Sequence, residues 1–165
     1  MGADTMRRKD REANDFSQIK EIIAECDVIR LGFSDGEFPY IVPVNFGYEI
    51  ENQQIYFYIH GALEGKKLEL IKKSGICSFE MDCAHAIELL PELKNVTMRY
   101  KCLMGKAKIE ILAEADKQHG IDMLMGRYAE TKNFAYDKKA ADHIMVAKLT
   151  VLEYSGKINA PKKMH

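Results

Sequence analysis

Residues 39–49 (PYIVPVNFGYE) alternate strictly, with Tyr40, Val42, Val44, Phe46 and Tyr48 on one face and Ile41, Pro43, Asn45 and Gly47 on the other. Such a period of two reads as a half-buried β-strand. Pro43 restricts where that strand can lie. Proline has no N–H to give to a ladder, so its stretch belongs at a sheet edge, a bulge or a split. A strand interrupted there leaves backbone groups free to face a ligand.

Five further runs read as strands: residues 28–33 (VIRLGF), 55–60, 76–81, 96–112 and 144–154. Ser34-Asp35-Gly36 and Asn52-Gln53-Gln54 supply turn residues between neighbours. In the longest run Met98, Tyr100, Cys102 and Met104 share one face, whereas Ala107, Ile109 and Ile111 share the other. A slip of one residue flips every side chain, so a bulge or bend is expected near Gly105. Helical spacing appears over residues 16–26 (Ile19, Ile22, Ile23), from residue 66 (Leu68, Leu70, Ile71) and around Ile121, Leu124, Met125 and Tyr128. Residues 82–95, with Pro91, read as a loop or short helical excursion. Residues 131–142 read as loop plus a short helix with Asp137 as its cap. The expectation is an α+β domain: a mainly antiparallel, six-stranded, closed or nearly closed β-barrel with peripheral helices. It should occupy residues 16–158, between a charged, flexible arm (1–15) and a polar tail (159–165).

Length and charge narrow the function. A chain of 165 residues can bury one real core. A net charge of −1 gives no bulk attraction to nucleic acid or an anionic membrane. No apolar run approaches the roughly 18–20 residues needed to span a bilayer, and the start has no signal-peptide h-region. Cys26, Cys77, Cys83 and Cys102 show no CxxC pairing and no zinc-like rhythm, so no metal site is expected. Cys77 and Cys102 lie in strand-like runs and read as small core residues; reduced thiols fit a cytoplasmic protein.

The helix that opens at residue 66 starts with Lys66 and Lys67, after Gly61 and Gly65 and a strand ending in His60. A helix N-terminus already carries unpaired N–H groups and partial positive charge, so lysines there are out of place by some tenths of a kcal/mol each. An anion at that spot removes the mismatch, and a phosphate held by backbone N–H groups and two ammonium groups fits it. The glycines allow close approach of the backbone. His60 is the one histidine beside this feature, read either as structural or as a catalytic or ligand-contacting group. Arg99 and Lys101 share a strand face, which is either a solvated face or a second anion contact. No nucleophile–base signature and no Walker loop is present. Phe46, Tyr48, Tyr56 and Tyr58 suit a core or the wall of a flat ring system. A phosphate site beside aromatic strands, without acid–base machinery, suits a cofactor that carries the chemistry itself.

These segments resemble the FMN-binding split barrels related to pyridoxamine 5′-phosphate oxidase, most closely the 5-nitroimidazole resistance (Nim-type) branch. The resemblance runs through MRRKDRE, DVIRLGF, PYIVPVNFGYE, YFYIHGALEGKKLELI, MRYKCLMGKAKIE and a closing strand with SGK. It implies a split barrel that binds FMN, or FAD, at a homodimer interface. Val42, Pro43, Val44 and Asn45 would line the flavin, and Lys66 and Lys67 would bind its phosphate; the reading of the residues themselves adds Gly65, His60 and Arg99 as candidate cofactor contacts. The activity implied is flavin-dependent oxidoreduction of a small molecule, plausibly a nitroaromatic. A flavin sensor or carrier without turnover is the alternative, as is a pyridoxamine phosphate oxidase-like enzyme of another substrate. The segment CAHAIELLPELKN departs from the family pattern, and no substrate-phosphate cluster like that of the pyridoxamine oxidases is evident.

Overall fold

The run 39–49 is two strands in the computed structural model, which describes residues 7–128 and 142–160. In chain order the elements are α1 (Phe16–Glu25), β1 (Ile29–Phe33), β2 (Tyr40–Val44), β3 (Gly47–Glu51), β4 (Gln54–Ala62), α2 (Lys66–Ser74), β5 (Ile76–Leu90), β6 (Asn95–Ile111), α3 (Glu114–Tyr128) and β7 (Ile144–Asn159). The sheet therefore has seven strands, not the six expected, in the order β2-β1-β5-β6-β7-β4-β3. Every neighbouring pair is antiparallel.

The two edge strands, β2 and β3, are consecutive in sequence and joined only by Asn45 and Phe46. Laid flat, the edges of seven strands would stand about 29 Å apart at ~4.8 Å per spacing. The three residue steps from Val44 to Gly47 reach about 10 Å at most. The sheet must therefore curl until its edges approach, and it stays open along a seam there because β2 and β3 do not pair. Pro43 sits on β2, opposite Arg30 of β1 and with no strand on its other side. That is the edge position its missing N–H requires.

The core fills the inside of the curl. Phe46, Phe57 and Phe79 meet edge to face with centroids 5.5 and 5.4 Å apart. Ile59, Met81, Leu103 and Leu149 are fully buried around them. Helix α1 adds Ile19, Ile22 and Ile23, all buried; each such side chain contributes about 1.5–3 kcal/mol. Asp15 starts α1 by accepting from the Ser17 N–H, and the Gln18 side chain accepts from the Asp15 N–H. Helix α3 latches one end of the seam, at the junction of β2 and β3. The Tyr128 hydroxyl accepts from the Phe46 N–H at 3.1 Å and donates to the Asp27 carbonyl at 2.6 Å. Arg127 lies over the Phe46 ring and donates to the Ile23 and Cys26 carbonyls at the end of α1.

Two expectations need correcting. First, β6 keeps its phase through Gly105: Leu103, Ala107 and Ile109 all face the core, and Met98 and Met104 are exposed. The extra residue is on β7, where Lys106 pairs with Glu153 but Ala107 pairs with Val151, leaving Leu152 over. Gly105 faces that bulge, and a Cβ there would come within 2.2 Å of the Glu153 carbonyl oxygen. Apolar residues on both faces of β6 imitated a slip in β6 itself. Second, residues 82–90 are not a loop but the continuation of β5, and only Pro91–Leu93 makes a 3-10 turn. A register shift between Cys83 and Ala86, with Ala84 at φ 56°, resets the alternation and hides the strand from a periodic reading. Cys77 is buried as expected, whereas Cys102 is only partly so. The expected short helix near Asp137 lies outside the described residues. Among the described residues no helix is long and apolar enough to cross a membrane, and no cluster of three metal-ligating side chains occurs.

Candidate functional site

Three residues, Leu63 to Gly65, reverse the chain between β4 and α2. Gly65 is the N-cap residue, at φ 106°, a conformation that suits glycine and offers no side chain to cap the helix. The first N–H groups of α2 therefore open outward without a side-chain acceptor, with the helix dipole adding positive charge.

The two lysines leave this point in different directions. Lys67 runs back over the end of β4, where its Nζ donates to the His60 carbonyl at 2.9 Å. It is half-buried, and burial alone pushes its pKa down. Among the described residues no carboxylate pairs with it. Lys66 is exposed and pairs with Asp35 Oδ1 at 2.8 Å, in the turn between β1 and β2, which raises its pKa. His60 is held below the usual histidine pKa, first by partial desolvation and then by the Lys67 charge. At neutral pH the mouth thus presents a neutral imidazole, an ammonium without counter-charge and unpaired helix N–H groups.

The Lys66–Asp35 pair also brings the start of β2 to this mouth. From there β2 runs along the open seam. Val42 and Val44 pack against the core, and Ile41, Pro43 and Asn45 point outward and are exposed. On the side away from β1, the backbone of β2 has no strand partner. The structure thus gathers Gly65, Lys66, Lys67, His60 and the β2 edge into one region. Arg99 is not brought there. It lies on the part of the β5–β6 hairpin beyond the sheet, forked onto Glu88 at 2.5 and 3.0 Å. Lys101 is engaged by Glu21 and Glu25, both at 2.6 Å.

A cleft of about 650 Å³ opens elsewhere, between the end of α1 and α3. Glu25, Asp27 and Asp122 line it, and its Arg127 is already bound to carbonyls. That lining repels an anion, whereas the lysine mouth carries positive charge. Two features of the mouth escaped the sequence reading. Asp35 looked like a plain turn residue, though its carboxylate answers Lys66. Gly61 looked like a point of backbone approach, though it faces Lys67: a Cβ there would lie 2.7 Å from Nζ. A charged residue in a turn before a strand edge is the only signal that pointed to the first.

Comparison with known proteins fits this geometry. The family model for pyridoxamine 5′-phosphate oxidase matches residues 15–158. No curated protein matches the chain. Among solved structures, a candidate 5-nitroimidazole antibiotic resistance protein from Bacteroides thetaiotaomicron VPI-5482 is 28% identical, over 89% of this chain and 86% of that one, with a TM-score of 0.77. The flavocytochrome Anf3 from Azotobacter vinelandii shares the fold at a TM-score of 0.79 and 16% identity, over 98% of this chain and 75% of that one. So does an FAD and heme binding protein from Mycobacterium smegmatis, at 0.77 and 14%, over 93% and 77%. With a family match that takes in nearly every described element, from the start of α1 to the penultimate residue of β7, the chain belongs to the pyridoxamine 5′-phosphate oxidase family.

Proposed function

We propose that this protein is a flavin-dependent oxidoreductase that holds FMN at the lysine mouth and reduces small nitro compounds. One observation carries the binding half of this reading: a half-buried ammonium, Lys67, stands at an uncapped helix start with no carboxylate beside it among the described residues. A half-buried charge without a counter-charge is costly, and a phosphate would lower that cost while taking up the N–H groups at the helix start. Lys66 would join once it exchanges Asp35 for the phosphate. The fit extends to the flavin ring, because the unpaired edge of β2 at Val42–Asn45 offers backbone groups and a proline-flattened surface.

When bound, the flavin supplies two-electron redox chemistry. The chain's own residues bind and orient it. Val42 and Val44 set the rigid edge from the core side, Pro43 keeps that edge unpaired, and neutral His60 stands where it can contact a substrate or hold a proton. The nitro substrate is supported by the Bacteroides relative, which is 28% identical and whose name states a role in 5-nitroimidazole resistance. A pyridoxamine phosphate substrate is less well supported, since Arg99 and Lys101 are both engaged by carboxylates.

A second copy of the chain completes the site in this reading. Residues 86–99 form a two-stranded ribbon with no strand on either edge among the described residues, because β1 meets β5 only at residues 78–80 and β7 meets β6 only from residue 100 on. One face of the ribbon carries Ile87, Leu89, Val96 and Met98, exposed by 69, 71, 56 and 47%. A free hairpin with an apolar face is marginal in water, and a two-fold partner would cover it.

The test is direct. The purified protein should be yellow, release FMN on denaturation, and oxidise NADH or NADPH when a nitroaromatic is supplied. FAD in the released fraction would change the cofactor, and a colourless protein that takes up no flavin would overturn the proposal. Yellow protein without turnover would favour a flavin sensor or carrier. At the mouth Asp35 is tied to Lys66 and Lys67 to the His60 carbonyl, which among the described residues leaves His60 as the side chain best placed for proton transfer; that sparse machinery gives the second reading its support.

A further inference from the structure

The alternation of β4 places Ile55, Phe57 and Ile59 toward the core, and position 61 continues that inward series. Position 61 is glycine, and the space a side chain would fill is taken by Lys67. A Cβ built on Gly61 would lie 2.7 Å from Lys67 Nζ, 2.9 Å from its Cε and 3.3 Å from the Met145 terminal methyl. The lysine stem therefore lies in a slot at the end of the core, walled by Met145 from β7. Its ammonium is fixed by the His60 carbonyl at 2.9 Å.

We propose that Gly61 is a positioning residue for phosphate recognition: its missing side chain is the slot that aims Lys67 at the open start of α2. This rests on the phosphate reading of the mouth. A lysine stem normally loses side-chain entropy when it is ordered on a ligand. Here the slot and the His60 carbonyl order it beforehand, and that preorganisation strengthens binding. The slot also keeps the ammonium partly out of water, and among the described residues no carboxylate balances its charge. Alanine at 61 would not break the fold, because the atoms it meets are the ends of two flexible side chains and no backbone. It would instead expel Lys67 into solvent.

Two ligands that differ only in the phosphate isolate this effect. In titrations of the flavin-free protein, Gly61→Ala should weaken FMN binding about ten- to a hundredfold, the scale of one charge-assisted hydrogen bond. Riboflavin, which has no phosphate, should bind the variant and the wild type equally. Gly61→Ala combined with Lys67→Ala should bind FMN no more weakly than Lys67→Ala alone, since both remove the same contact. Unchanged FMN affinity in Gly61→Ala, equal losses for both flavins, or additive losses in the double variant would each overturn the proposal. A cofactor-free readout separates this failure from that of the flavin reading. In ¹³Cε NMR titrations, with Lys67 assigned by its loss in Lys67→Arg, Gly61→Ala should raise the Lys67 pKa toward that of a free lysine. If the wild type binds neither flavin, the functional reading falls. The slot then stands or falls on that titration, and a Lys67 pKa unmoved by Gly61→Ala rejects it.

Discussion

Lys66 and Lys67 look equivalent in the sequence and are not equivalent in space. Lys66 has Asp35 at 2.8 Å, whereas among the described residues Lys67 is paired with a carbonyl and no carboxylate. Lys67→Ala should therefore cost FMN binding about 1.5–3 kcal/mol, and Lys66→Ala clearly less, as read by fluorescence titration. The same asymmetry sets a pH dependence. The Lys67 pKa is depressed in the folded protein, so between that value and the ordinary lysine value the unfolded chain holds more protons there. Stability of the flavin-free protein should thus rise as pH climbs through the depressed pKa. FMN affinity should fall across the same window, because the phosphate needs the ammonium. His60 is exposed and shares no core packing. His60→Ala should leave the melting temperature and flavin content nearly unchanged while altering nitroaromatic reduction; a large loss of folding would make it a structural residue. The lysines stood out in the sequence because they break the charge preference of a helix start, and Gly65 and His60 drew notice only through their place beside them. Asp35 and the Lys67 slot were not, since both depend on where β1, β2 and β4 end in space.

At the scale of elements, the helices were the most legible part. Ile19, Ile22 and Ile23 mark the buried stripe of α1, and Leu68, Leu70 and Ile71 that of α2. The turn at Asn52 and Gln53, both at positive φ, joins β3 to β4 where the polar residues placed it. Strands were harder because periodicity cannot see hydrogen-bond partners. The run 39–49 keeps one alternation while it leaves one sheet edge and joins the other, so it read as one strand. Bulges hid the far half of β5 and shifted the predicted irregularity from β7 to β6. The latch on the seam was also invisible, as it links Tyr128 to Phe46 across 82 residues. Tyr128→Phe removes both hydrogen bonds of that hydroxyl and leaves the Phe46 N–H without its partner. It should destabilise the protein by about 1–3 kcal/mol in urea unfolding, with the unfolding slope unchanged.

For the whole molecule, the open seam, the lysine mouth and the bare β5–β6 ribbon are consequences of one topology. Its edges approach each other but do not pair, and its longest hairpin outruns its neighbours. The proposed two-fold partner would cover the ribbon and exclude water from the flavin, which links cofactor affinity to assembly by mass action. Sedimentation of the flavin-loaded protein at micromolar concentration should give a dimer, and Leu89→Lys with Met98→Lys should shift it toward monomer with loss of flavin. A yellow monomer would show that one chain builds the site alone. The central claim, that the start of α2 with Lys67 is a flavin phosphate site, is tested most directly by comparing FMN and riboflavin affinities of the wild type and Lys67→Ala. The account predicts that the wild type prefers FMN by at least about tenfold and that Lys67→Ala abolishes the preference. Equal affinities in the wild type, or a preference that survives the substitution, would contradict it.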